Sequence, residues 1–385
     1  MASRAFTWFI VLCSGLILAG LFLDGWAHAH QRLEPALFGT TNLSRAFSPP
    51  GLPATLTARH LPYFAGVLLI SIPLLVTLWA NRARGVSWAH ALPAGYGLSL
   101  VGGVLIAAAL LGEWIWPLRF QTPLYVDPAA EGGVSSLPAL LSPQRLAHLA
   151  GLVLLVTGPL RAGQKDPPGH QATTAGLPVV LALAFLLSIL SYATQFAHPL
   201  VDPWASRAYL WRSLTSYRYG EFVLGESMGV LSIVLQSALL AAVILWAVRG
   251  WVLRPGSLTV ILTINALLMA WLEGYWVFVL VGLTAGVVAD VLLARLQHPM
   301  RRAEFSLFAF TVPAAYYALY FLVLIRLAGI SPSWGTLTRL ALPFPQGIGW
   351  NAQLVSGCVV LAGGVGWLLS YLMTASPSST QSPRL

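Results

Sequence analysis

The residues best suited to chemistry in this 385-residue chain lie in one short segment, Leu23-Asp24-Gly25-Trp26-Ala27-His28-Ala29-His30. If a helix continues through it, Asp24 and His28 stand four apart on one face. If the chain turns extended after His28, then His28 and His30 point to the same side. A helix ending near His28 therefore lets one carboxylate and two imidazoles converge. That donor set suits a divalent transition metal, and imidazole in particular suits copper or zinc. His60 is the fourth candidate ligand, and His148 and His198 are secondary ones that could complete or shield the site. Three ligand-type residues within seven are unusual where only 9% of residues are charged.

Each of these residues also has a plainer role. A histidine at a helix end commonly caps the helix or sits at an interface, and this is the simplest expectation for His148 and His198. Glu113 and Glu221 read as solvated helix ends. Glu226, Asn265, Glu273 and Asp290 fall within or beside apolar runs, where a carboxylate is expensive and needs a partner. Arg212 or Arg218 could serve Glu226 and Glu273. Asp290 reads as a helix-end ion pair with Arg249 or Arg295, with a proton or ion relay as the alternative. Asn265 suits an interhelical hydrogen bond, and Gly282-x-x-x-Gly286 is a close-packing signature.

The elements that must position these groups are set by composition. Hydrophobic residues make up 57% of the chain, and mean hydropathy is +0.76. A water-soluble core cannot absorb so much apolar surface, so a soluble enzyme, a disordered chain and a repeat solenoid are excluded. The fold class is all-α, a polytopic transmembrane helical bundle whose partner is the lipid bilayer. Runs near the spanning length of roughly 20 residues are Phe6–Leu23, Tyr63–Ala80, Leu92–Leu111, Leu146–Leu160, Leu177–Ala197, Phe222–Val248, Ser257–Leu272, Tyr275–Leu293, Phe305–Ile325 and Ala352–Leu372. The count is about ten, and the two runs around Glu273-Gly274 could instead be one broken helix. Residues 1–374 form a single domain, and the Ser- and Pro-rich tail 375–385 reads as disordered.

Lys plus Arg number 21 against 12 Asp plus Glu, a net charge of +9. The excess gathers in short connections on one side: Arg82 and Arg84, Arg161 and Lys165, Arg249 and Arg254, then Arg295, Arg301 and Arg302. The positive-inside rule places that side, with both termini, in the cytoplasm. No basic groove interleaved with aromatics marks a nucleic-acid partner. The opposite loops, 24–62, 112–145, 198–221 and 326–351, are long and rich in Trp, as an interfacial belt requires. Cys13 and Cys358 lie inside apolar runs and read as packing residues. Arg4, the apolar run and Ala27-His28-Ala29 together mimic a signal peptide. The run exceeds the usual hydrophobic length of such peptides, so a retained helix is expected.

Leu23–His30, with the later run His60-Leu61-Pro62-Tyr63-Phe64-Ala65-Gly66, resembles a family of uncharacterised bacterial multi-span membrane proteins. These open with an LDGWAHxH-type motif and carry a later H-x-x-x-Y/F-x-G segment. Leu231–Leu293 is similar to their later helices. The resemblance covers about half the chain, carries no activity with it, and implies a bacterial inner-membrane location. At the level of the site alone, Asp24-x-x-x-His28 resembles the Asp-x-x-x-His pair that, with a further His, binds copper in a membrane subunit of particulate methane and ammonia monooxygenases. The third histidine departs from that pattern, because His30 is much closer and His60 much farther.

Four functions are therefore expected in competition. The first is an outward-face metal site of Asp24, His28, His30 and His60, with copper as the metal and handling of the metal or oxidation chemistry as its use. The second is a transporter or channel built on Glu226, Asn265, Glu273 and Asp290. The third is a b-type haem protein with His60 and His148 as axial ligands. The fourth is an outer-leaflet lipid-carrier enzyme using Asp24, Asp202, Arg207, Arg212 and Arg218. No Walker A or H-E-x-x-H pattern occurs.

Overall fold

A computed structural model describes residues 4–29, 60–120, 142–164, 176–206, 219–296, 300–327 and 350–374. Eleven α-helices make up the described residues, and no strand occurs among them: α1 (Arg4–Ala29), α2 (Leu61–Ala83), α3 (Gly97–Phe120), α4 (Pro143–Val156), α5 (Gly158–Gly163), α6 (Leu177–Ala193), α7 (Tyr219–Gly250), α8 (Ser257–Glu273), α9 (Val279–Arg295), α10 (Arg302–Leu327) and α11 (Ala352–Thr374).

Helices that are apolar all round are either buried or in lipid, and both kinds occur here. α6 is the central one. Leu183, Ala184, Ala182 and Ile189 are at most 1% exposed, and the helix packs against α1, α4, α7 and α8. α2 lies at the edge, with Leu68, Ile72, Leu75, Val76 and Trp79 each more than half exposed. An unbroken apolar stripe of that kind demands lipid rather than water. Among the described residues six helices are long and apolar enough to cross a membrane: Arg4–Trp26, Leu61–Ala83, Val223–Gly250, Trp276–Arg295, Arg302–Arg326 and Ala352–Thr374. The other apolar helices, Gly97–Glu113, Pro143–Val156, Leu177–Ala193 and Ser257–Glu273, are shorter. At 17 residues, α6 and α8 rise only about 26 Å. This is an integral membrane protein in which six of the described helices meet the full spanning criterion, where about ten spans are expected.

The helices pack as neighbouring antiparallel pairs, α1–α2, α3–α4, α8–α9 and α10–α11. Close approach is bought by glycine. A Cβ on Gly102 would overlap the backbone of Gly151, and one on Gly151 would overlap Gly102. Gly282 and Gly286 of α9 lie against Leu262, Ala266 and Thr259 of α8, as their spacing predicts. Residues 257–293 form two helices, not one broken helix: Gly274 takes a left-handed φ of 75° and turns the chain back.

Helix ends differ from the apolar runs in two places. α1 continues through Asp24 to Ala29, and α3 continues to Phe120, because interfacial polar residues do not break a helix. The expected outer loops therefore begin later than 24 and 112. The run 146–160 is divided at Thr157, where Gly158-Pro159 starts a new short helix and Pro cannot continue the old one.

Candidate functional site

The C-terminal end of α1 and the N-terminal end of α2 are brought together by two glycines. Gly20 of α1 leaves no room for a Cβ beside Tyr63 of α2, and Gly66 leaves none beside Cys13 and Ile17. With the two backbones this close, the next turn towards the end of the bundle sets Asp24 against His60. The Asp24 Oδ1 to His60 Nε2 distance is 3.1 Å, with side chains 21% and 16% exposed. His60 directly precedes α2, and Pro62 in the first turn sets the helix start without costing a needed N–H.

One turn inward, Tyr63 carries the cluster across to α4. Its ring stacks on His148 at 5.6 Å between centroids, and its hydroxyl is hydrogen-bonded to His148 Nε2 at 2.5 Å. His148 Nδ1 is buried and has no hydrogen-bond partner among the described residues. Beyond it, Arg145 Nε pairs with Glu113 Oε1 of α3 at 3.3 Å, and both charges act electrostatically on Tyr63. Asp24, His60, Tyr63, His148, Arg145 and Glu113 thus form a continuous polar seam over four helices at one end of the bundle.

The expected ligand set is only partly assembled. Asp24 and His60 meet. α1 stays helical past residue 28, so position 28 shares the Asp24 face; the His28 side chain and the whole of His30 lie outside the described residues. Among the described residues no three His, Cys, Asp or Glu side chains gather as a metal-ligand group. His148 does not join Asp24, because its Nε2 is taken by Tyr63. His60 Nε2 thus faces Asp24 and His148 Nε2 faces Tyr63.

His198 is elsewhere. Thr194 ends α6, and the chain folds inward as a short helical turn, Gln195–Ala197. His198 is 3% exposed, and its Nδ1 accepts the Leu200 N–H at 3.2 Å, which leaves any ring hydrogen on Nε2. Burial pushes its pKa down to about 3. It lines a cavity of about 10 Å³ with Ser191, Gln236, Asn265, Tyr316 and Tyr317, room for about one water.

Two of the four polar groups expected for transport, Asp290 and Asn265, hold helices together. Asp290 accepts from the Leu258 and Thr259 N–H groups at 3.2 and 2.9 Å and from the Thr259 hydroxyl at 2.6 Å. It caps the N-terminus of α8 from the neighbouring helix, a placement the helix dipole favours, so the expected arginine partner is replaced by backbone. Asn265 donates to Ser191 Oγ at 3.0 Å. Glu226 is exposed on α7, and Glu273 ends α8. The run Gly225-Glu226-Ser227-Met228-Gly229 spells G-x-S-x-G. It lies inside the continuous helix α7, whereas a nucleophile elbow requires a strand-to-helix turn. Arg207–Arg218, the expected lipid-headgroup stretch, lies outside the described residues, as do most of loops 24–62, 112–145 and 326–351 and the tail 375–385.

No family model, curated protein or solved structure matches this chain.

Proposed function

We propose that this integral membrane protein works through a transition-metal site at the outer ends of α1 and α2, with Asp24, His28 and His60 as ligands and copper as the metal. The observation that carries the reading is the 3.1 Å approach of His60 Nε2 to Asp24 Oδ1, between residues far apart in sequence and on different helices. A carboxylate and an imidazole that meet this closely can share a metal ion at the usual ligand distances of about 2.0–2.2 Å after a small side-chain rotation. Position 28 adds a second imidazole from the next turn of α1. His30 is the candidate fourth donor. The Tyr63–His148 pair forms the inner wall, next to which Arg145 and Glu113 balance each other's charge. The site faces the outside of a bacterial inner membrane, both termini lie in the cytoplasm, and the metal is either handed on or used for oxidation chemistry.

The test is elemental analysis of detergent-purified protein after copper loading and desalting. Wild type is expected to retain about one copper per chain, and His60→Ala and Asp24→Ala to lose it, as the loss of a ligand from a small donor set requires. Electron paramagnetic resonance of the Cu(II) form should show nitrogen coupling that weakens in His28→Ala. Equal, near-zero copper in wild type and both variants overturns the reading.

A further inference from the structure

We propose that the opposite, arginine-rich end of the bundle carries a binding site for one anionic phospholipid, at the junction of the α7–α8 and α9–α10 connections. A cavity of about 140 Å³ lies there, walled by Val248, Trp251 and Leu253 on one side and by Leu293, Leu296 and Met300 on the other. Its walls are apolar, and its size is close to that of a cavity that takes a benzene-sized apolar molecule. It therefore accepts the upper carbons of one acyl chain. Trp251 is 3% exposed, and its indole N–H has no acceptor among the described residues.

Charge complementarity identifies the occupant. Every stretch that lines the cavity runs directly into arginine: Val248 into Arg249, Leu253 into Arg254, Leu296 back to Arg295, and Met300 into Arg301. All four arginines are exposed. Arg249 is held by the Met373 carbonyl at 2.6 Å. The guanidinium groups of Arg254, Arg295 and Arg301 make no hydrogen bond, ion pair or ring contact among the described residues. Arg161 behaves otherwise: it is spent on the Gly95 and Leu154 carbonyls and the Thr157 and Ser99 hydroxyls. Neither Asp290 nor Glu304 pairs with these guanidinium groups: Asp290 caps α8 and Glu304 accepts the Arg301 backbone N–H. An apolar cleft between helix ends rimmed by exposed arginines is the arrangement that binds anionic lipid headgroups. A free phosphate would satisfy the arginines but not the cleft.

Native mass spectrometry of the full chain in nonionic detergent tests this with three probes: phosphatidylglycerol, phosphatidylcholine of the same acyl chains, and inorganic phosphate. Wild type should retain phosphatidylglycerol in preference to phosphatidylcholine. Arg254→Gln and Arg295→Gln should each weaken the former about five-fold, the effect of removing one cation near a headgroup. Leu296→Trp, which fills the cleft, should reduce both lipids while the arginines remain. Size-exclusion profiles confirm that each variant is folded, and the exposed arginine variants keep the test valid should Leu296→Trp fail to fold. Equal retention of both lipids by wild type, an undiminished preference in the double arginine variant, or full displacement of phosphatidylglycerol by inorganic phosphate overturns the proposal.

Discussion

A carboxylate in an apolar bundle needs donors, and Asp290 finds three on one helix end. Removing it leaves two N–H groups and a hydroxyl of α8 without an acceptor. Asp290→Ala should therefore lower stability by about 1–3 kcal/mol, read as a drop in melting temperature in detergent, whereas Asp290→Asn should lose less because its amide oxygen still accepts. No loss in the alanine variant would show that the cap is dispensable. The need for a partner was legible from the sequence; its identity was not, because backbone donors leave no mark on residue type. His198 offers a second residue-scale test. Its pKa is pushed down to about 3 in the folded protein, against an ordinary value of 6.5. Between those values the unfolded chain binds more protons, so the stability due to a neutral His198 is complete above pH 6.5 and falls as the pH is lowered through that window. Melting temperature should drop on acidification from pH 7 to 4, and His198→Gln should flatten that slope. An unchanged slope would assign the acid sensitivity to other groups.

Helix pairs in lipid are held by close packing rather than by exclusion of water, which makes glycine positions decisive for the elements. Gly102 and Gly151 face each other between α3 and α4, while Gly364 of α11 has nothing within 4 Å of an added Cβ. Gly102→Leu should cost about 1–3 kcal/mol or more through overpacking, and Gly364→Leu should leave the melting temperature close to wild type. Equal effects would show that helix propensity, not interhelical contact, governs these sites. Gly282 and Gly286 could be read in advance, since they share one helix at a known spacing. Gly102 and Gly151 could not, because each belongs to a different helix and the pairing exists only after folding. The same distinction runs through the candidate site. That positions 24 and 28 share one helix was legible from their spacing. That His60 meets Asp24 depends on Gly20 and Gly66, and that His148 is claimed by Tyr63 depends on how α4 lies against α2.

For the whole molecule, the antiparallel pairs give the bundle two chemically different ends. Gly25, one residue past Asp24, lies against Tyr192 and Leu272 at the C-terminal ends of α6 and α8. Gly163 and the cavity-lining Trp251 meet at the opposite end, where α8 begins. Asp24, His60, Tyr63, His148 and the Arg145–Glu113 pair collect at the first end, and Arg249, Arg254, Arg295 and Arg301 collect at the second. Apolar runs made the helices legible without any long-range information, because each run needs only its own length and composition. The orientation rests instead on the asymmetry of arginine between the two ends, which the positive-inside rule converts into a side of the membrane. Both native cysteines are buried, so single introduced cysteines can report that side directly. Gln353, exposed at the start of α11, lies at the Asp24 end, and Ser87, exposed between α2 and α3, lies at the arginine end. Gln353→Cys should react with a membrane-impermeant maleimide in intact cells, and Ser87→Cys only after permeabilisation. The reverse pattern would turn the Asp24–His60 pair towards the cytoplasm and remove the outward-face metal site. Labelling of both in intact cells would break the two-ended bundle itself, since Gln353 and Ser87 could then not stand on opposite sides of one membrane.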